Sequence, residues 1–213
     1  MRAWAIVVAG GSGARFGGAK QFLVLGGRRI VDWAVLAAAA SCEGVILVLP
    51  PDQVGRVALD VQPDVVVAGG ATRSASVRAG LAEVPDGVDA VVVHDAARPL
   101  AHPGLFDAVL RALADGADGA VAAVPVADTL KRVAADGRIT GTVDRGGLWA
   151  VQTPQGFRLD VLRAAHAGDA EATDDAGRVA AAGGRVVVVP GDRRNLKVTD
   201  PADLDLREAL VGR

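Results

Sequence analysis

The sequence predicts an α/β fold, a doubly wound sandwich around a mostly parallel sheet, and three observations lead there. Short β-branched runs alternate with Ala/Leu-rich segments of helical period along the 213 residues, the punctuation of repeated βαβ units. Runs such as Val91-Val-Val93 show no in/out alternation, so both sheet faces are expected to be covered by helices. Hydrophobic residues make up 51% of the chain with no Tyr and only 3% aromatics, which suits a core of small aliphatic side chains.

In chain order, the first strand is expected at 4–8 and is followed by a glycine-rich loop. A helix follows at 29–40, then a strand at 44–49 that ends at Pro50-Pro51. The third strand falls at 64–68, and the helix after it, at 73–83, starts beside Thr72 and Ser74, residues that commonly cap. Next come a strand at 89–94, a helix from Pro103 to 114 and a strand at 119–124. The region 126–150 breaks the alternation. Asp128–Val133, the turn Ala135-Asp-Gly137 and Arg138–Val143 read as a protruding two-stranded β-arm, and because a lone hairpin is marginal in water a second subunit is expected to cover it. Gln152-Thr-Pro-Gln-Gly-Phe157 reads as a turn, followed by a helix at 158–167, helical stretches near 174–182 and 201–210, a strand at 185–189 between them, and a further strand at Lys197-Val-Thr199. One domain over 1–213 accounts for all of it.

Composition excludes several classes of function. A formal net charge of −2 gives no general attraction to nucleic acid or to an anionic membrane, so the expected partner is small and held by locally placed cations. A single cysteine, Cys42, excludes an internal disulfide, and the three histidines lack metal-ligand spacing. No apolar run approaches the roughly 20 residues of a membrane span, and Met1 leads straight into a strand, so a cytoplasmic protein is expected.

The motif of greatest information is Ala9-Gly-Gly-Ser-Gly-Ala-Arg-Phe-Gly-Gly-Ala-Lys20 after the first strand. Glycines let successive backbone N–H groups turn toward one anion, while Arg15 and Lys20 add positive charge, so the loop reads as a polyphosphate cradle. It lacks the Gly-Lys-Ser/Thr of the Walker loop, and Phe16 occupies the third glycine position of the dinucleotide fingerprint.

In such sheets ligands sit beyond the carboxyl ends of the strands, which gathers the loops after Val8, Val67, Val93 and Val124. The third of these, Val93-His-Asp-Ala-Ala-Arg-Pro99, presents Asp95 for Mg²⁺ or a substrate hydroxyl and Arg98 for a phosphate or polyol. The alternative is an internal Asp95–Arg98 pair capping the next helix; the nearby glycine loop favours function. His94 reads as a satisfied structural histidine ahead of a catalytic base. Gly70 and Ser76 are candidates for base recognition, Thr153 for turn structure or a ligand hydroxyl, and Lys197 either snorkels to solvent or points at an anion.

Six motifs in order, Gly10-Gly-Ser-Gly-x-Arg15 with Lys20-Gln-Phe, Gly69-Gly-x-x-Arg-x-x-Ser-Val77, His94-Asp-Ala-Ala-Arg-Pro99, Asp128-Thr-x-Lys131, Gln152-Thr-Pro-Gln155 and Asn195-x-Lys-Val-Thr199, resemble the 2-C-methyl-D-erythritol 4-phosphate cytidylyltransferase family. The resemblance implies a Rossmann-like nucleotidyltransferase fold. It further implies transfer of CMP from CTP to 2-C-methyl-D-erythritol 4-phosphate with release of pyrophosphate, and a homodimer that exchanges the arm; Mg²⁺ is expected on the CTP phosphates because three anionic groups meet in one cleft. By the same resemblance Arg15 and Lys20 stabilise charge on the triphosphate, while Arg145 and Lys197 position the acceptor. Ala9, Gly10, Gly11, Ser12, Gly13, Gly70, Ser76 and Ala96 contact CTP, and Asp95, Arg98, Thr129, Thr153 and Thr173 line the acceptor pocket, with Thr129 and Arg145 reaching the neighbouring subunit. The chain departs from the usual pattern at Ala19, where the family generally has Pro, and at Arg194, where some relatives are acidic. A ribitol 5-phosphate cytidylyltransferase and a nucleotide-binding module without turnover are the alternatives.

Overall fold

The computed structural model describes residues 1–11, 18–167 and 174–203. Strand β1 (Ala3–Val8) leads to the glycine loop, a 3-10 turn (Lys20–Phe22) and a tight hairpin of β2 (Val24–Leu25) and β3 (Arg28–Arg29). The hairpin turn is Gly26-Gly27, at φ +56° and +79°, left-handed values that glycine adopts without a Cβ penalty. Helix α1 (Ile30–Ala39), β4 (Gly44–Leu49), β5 (Val65–Ala68), α2 (Arg73–Ala82), β6 (Ala90–Asp95), α3 (Pro103–Ala114) and β7 (Gly119–Pro125) follow. The arm pairs β8 (Leu130–Val133) with β9 (Ile139–Val143), and β10 (Trp149–Arg158), α4 (Leu159–Ala165), α5 (Asp175–Ala181) and β11 (Val186–Pro190) complete the described elements.

The central sheet has the order β11-β7-β10-β6-β1-β4-β5. Every neighbouring pair in it is parallel except those of β10, which runs antiparallel to both β6 and β7. Both faces are covered, as the absence of alternation requires. Ala5, Val7, Leu47 and Val92 pack with Val31, Val35, Phe106 and Val109 of α1 and α3. Ile6, Ile46, Val91 and Val93 pack on the other face with Val77, Leu81, Leu162 and Val179 of α2, α4 and α5. The mostly parallel α/β sandwich is therefore as expected, and no described helix is long and apolar enough to cross a membrane.

Two expectations are corrected. The stretch Gln152–Phe157 lies inside β10 rather than in a turn. Its strand signal is hidden by a proline, which ordinarily argues against a central strand; here the register shifts between Val151 and Gln155 and Thr153-Pro154 is cis. The bulge absorbs the residue that cannot donate to the ladder. Lys197-Val-Thr199 forms no strand. That segment is instead an irregular run fixed by side-chain and backbone hydrogen bonds to its neighbours. The expected helix at 201–210 falls mostly outside the described residues.

Candidate active site

A cavity of about 870 Å³ opens at the carboxyl ends of the parallel strands, lined by the residues after β1, the Pro50–Gln53 turn after β4, the 70–73 loop after β5, and Asp95, Ala96 and Ala97 at the end of β6, with Lys197. β1 is the strand from which the chain order runs outward in both directions, so the glycine loop stands at the topological switch point. Of the four loops expected here, three line the cavity; the one after Val124 continues into the arm.

Ala9, Gly10, Gly11, Lys20, Gly70, Ser76, Ala96, Asp95 and Lys197 all line this cavity. Its floor is made by close backbone approach. A Cβ on Gly70 would fall 2.4 Å from the Ala75 Cβ, and one on Gly10 would lie 3.1 Å from Ser76 Oγ. Ser76 Oγ donates to the Thr72 carbonyl at 3.0 Å, Thr72 caps α2 by accepting from Ala75 N, and the Ala96 N–H bonds the Val8 carbonyl. Gln21, buried behind the loop, donates to the carbonyls of Ala9 and Gly11 and so ties the cradle to the turn that carries Lys20. Lys20 Nζ donates to the Val198 carbonyl at 2.7 Å. Ser12, Gly13, Arg15 and Thr173 lie outside the described residues.

The electrostatic centre is Asp95. Its Oδ1 accepts from Arg73 Nε at 3.2 Å and its Oδ2 from Lys197 Nζ at 2.7 Å. Burial alone would raise its pKa; the Arg73 guanidinium and the Lys197 ammonium outweigh that and hold the carboxyl well below the usual range. Arg73 also donates to Asp175 at 2.7 Å, and Asp175 accepts from His166 at 2.9 Å. Burial lowers the Arg73 pKa, but its two carboxylates more than reverse this and strengthen its charge. Arg73 was missed as a candidate, although a signal existed. A cation in the first turn of a helix opposes the helix dipole and needs carboxylates nearby.

Arg98 does not pair with Asp95. It donates to the carbonyls of Asn195 and, more weakly, Val151, which removes the internal-pair reading. Asn195, wholly buried, donates to Gln152 Oε1 and to the Thr153 carbonyl, so Arg98 belongs to a clasp that ties β10 to Asn195, while Lys197 reaches from the same segment to Asp95 at the end of β6. Asn195 and Gln152 both stand in motifs of the sequence, but neither was assigned a role there. His94 is buried as expected, with its ring against Phe106 at 5.1 Å, and burial pushes the imidazole down to about 4. Thr153 is 4% exposed, its hydroxyl engaged with Asp95 N and His94. Thr129 and Arg145 are exposed on the arm, away from this cavity.

Residues 3–213 match the sequence profile of 2-C-methyl-D-erythritol 4-phosphate cytidylyltransferase. The chain belongs to that family. It is 50% identical over 218 residues to the enzyme of that name from Frankia casuarinae, covering 100% of this chain and 82% of the relative. It is 47% identical over 216 residues to that from Nocardia farcinica, covering 98% and 94%. The crystal structure of the Thermus thermophilus enzyme superposes with a TM-score of 0.85 at 38% identity, covering 100% of both chains. Family membership makes the chain a nucleotidyltransferase and gives the Asp95 cluster its context: an ion cluster beside a glycine-rich loop, at the switch point of a nucleotidyltransferase sheet.

Proposed function

We propose that this protein transfers CMP from CTP to 2-C-methyl-D-erythritol 4-phosphate, releasing pyrophosphate, in non-mevalonate isoprenoid precursor synthesis. The observation that carries the reading is that Lys20, Lys197, Arg73 and Asp95 face one cavity behind the glycine loop, in a chain of this family. An oxygen of the acceptor phosphate attacks the α-phosphorus of CTP, and the bond to the bridging oxygen of the β-phosphate breaks. The nucleophile is already an anion and needs no general base, so the work is alignment and charge neutralisation. His94 accordingly takes no proton. Both of its ring nitrogens are turned to protein groups.

Lys20, with Arg15, offsets the charge that builds on the departing pyrophosphate. Lys197, Asp95 and Arg98 form the polar wall that meets the acceptor. Among the described residues no group of three or more His, Cys, Asp or Glu could hold a metal ion, and both Asp95 oxygens already accept from cations. Mg²⁺ would therefore be carried mainly by the CTP phosphates, with Asp95 able to offer one oxygen where Lys197 yields it; the ion would supply neutralisation of the triphosphate. The exposed apolar residues of the arm, Val133, Ile139 and Trp149 at 57%, 61% and 44%, support a homodimer in which Thr129 and Arg145 complete the neighbour's acceptor pocket. The protein is read as cytoplasmic.

The test is pyrophosphate release with CTP and Mg²⁺ in the presence of methylerythritol 4-phosphate, ribitol 5-phosphate or no acceptor. Release that depends on methylerythritol 4-phosphate is expected. Preference for ribitol 5-phosphate would move the activity to another pathway, and absence of release with both would sink the reading.

A further inference from the structure

Under the cavity floor runs a chain of hydrogen bonds whose directions follow one from another. The Asp95 backbone N–H can only donate, so Thr153 Oγ1 accepts from it at 3.0 Å. The hydroxyl has one hydrogen left to give, and His94 Nδ1 lies 3.1 Å away. Because the hydroxyl oxygen keeps a second lone pair, this end alone does not fix the tautomer; the other ring nitrogen does. Nε2 faces the Arg98 carbonyl at 3.3 Å, a group that can only accept. Each donor thus meets an acceptor in one arrangement only, and that arrangement holds the neutral Nε2–H tautomer.

The chain spans the turn at the end of β6. One end holds the backbone of Asp95 and the other the backbone of Arg98, and the same turn is closed by Arg98 N–H donating to the Asp95 carbonyl at 3.0 Å. His94 is completely buried and Thr153 nearly so, so neither presents a hydroxyl or a ring nitrogen to the cavity. We propose that the Nε2–H form of His94 is a positioning residue, which through the Thr153 hydroxyl and the Arg98 carbonyl sets the Asp95–Arg98 turn for the acceptor. The inference rests on the acceptor being seated at Asp95 and Arg98, as in the proposed function.

Conservative substitutions cut the chain at known points. Thr153→Ser keeps the hydroxyl and Thr153→Val removes it with little change of volume. His94→Asn keeps a polar atom near the Nδ1 position and loses contact with Arg98; His94→Gln reaches toward Arg98 and loses Thr153. Thr153→Val and both His94 variants should raise the acceptor KM by about tenfold or more while the CTP KM stays within about twofold, and Thr153→Ser should restore the acceptor KM to within about threefold of wild type. Independently of activity, ¹⁵N resonances of the His94 ring in the wild-type protein should show Nε2 protonated and Nδ1 bare. An Nδ1–H tautomer, equal behaviour of Thr153→Ser and Thr153→Val, or parallel loss of CTP and acceptor binding would overturn the proposal. Failure of the proposed function reads differently: the wild-type protein would then give no acceptor-dependent pyrophosphate release at all.

Discussion

Asp95 is the residue on which most of the site's polar geometry converges, and replacing it shows what that costs. Asp95→Asn leaves Arg73 with Asp175 alone and Lys197 without a carboxylate. Acceptor kcat/KM should fall by about 10²-fold with CTP binding much less affected, and stability by about 1–3 kcal/mol, less than for a fully buried pair because the Lys197 side chain is 40% exposed. Steady-state kinetics with each substrate varied, and urea unfolding, check both parts. His94 gives a pH prediction. Burial depresses its pKa from 6.5 to about 4, so between those values the unfolded chain binds a proton that the folded chain does not. Stability should therefore fall as pH drops from about 6.5 to about 4, by up to ~3 kcal/mol from this group. Denaturant unfolding across that range should show the slope in wild type and a shallower one in His94→Asn. At this scale the sequence was informative about which residues matter and poor about their partners. Asp95 and Lys197 were legible as polar residues at the ligand edge, but their ion pair joins positions about 100 apart in the chain, and no local pattern encodes that. Asp95 and Arg98, three apart, offered an internal pair only as the alternative reading, and their side chains have different partners.

Elements were legible where one period dominated. The five parallel strands expected between 4 and 124 and five of the helices lie within a residue or two of their predicted places, because uninterrupted Val/Ile/Leu runs and Ala/Leu helical faces have no competing reading. Strand β10 was not legible: its alternation is broken by Pro154 and Gly156, and only tertiary pairing to β6 and β7 makes it a strand. Gly156 has its own reason, since a Cβ there would sit 3.1 Å from Val109 Cγ2 of α3. Gly80 in α2 gives the sharper test. Replacing a helix-interior glycine by alanine ordinarily stabilises by about 1 kcal/mol. Here the new Cβ would lie 2.6 Å from Ile6 Cγ2, in the core between α2 and β1. Gly80→Ala should therefore lower the midpoint of thermal unfolding, and it should lower it less in an Ile6→Ala background, where Cγ2 is gone. A raised midpoint in the single variant would contradict the packing described for this interface.

For the whole molecule, the proposed homodimer would make the arm the element that joins one chain's site to another. If Arg145 serves the neighbouring subunit, Lys20→Ala and Arg145→Ala proteins, each nearly inactive, should complement when mixed and allowed to exchange subunits. A mixed dimer has one intact site, so activity should approach about a quarter of wild type at equal amounts. Mixtures no more active than their components would return Arg145 to its own subunit or to no role. The arm itself was readable in the sequence as paired polar and β-branched runs around Asp136-Gly137. Its root was not, because the strand that anchors it is the one the pattern concealed.

That root has a consequence for how the protein is made on the ribosome. β7 touches only β10 and β11 within the sheet, and β6 gains its second neighbour only from β10. The block β5-β4-β1-β6 can close as soon as residue 95 has emerged. β7 then waits with both edges bare through the whole arm, until β10 is synthesised and enters between two strands already made. During that interval the nascent chain carries unpaired, Val- and Ala-rich edges, the kind of surface that other chains adhere to. The length of the arm therefore sets a period of vulnerability in biosynthesis, and shortening it should alter the yield of intact protein.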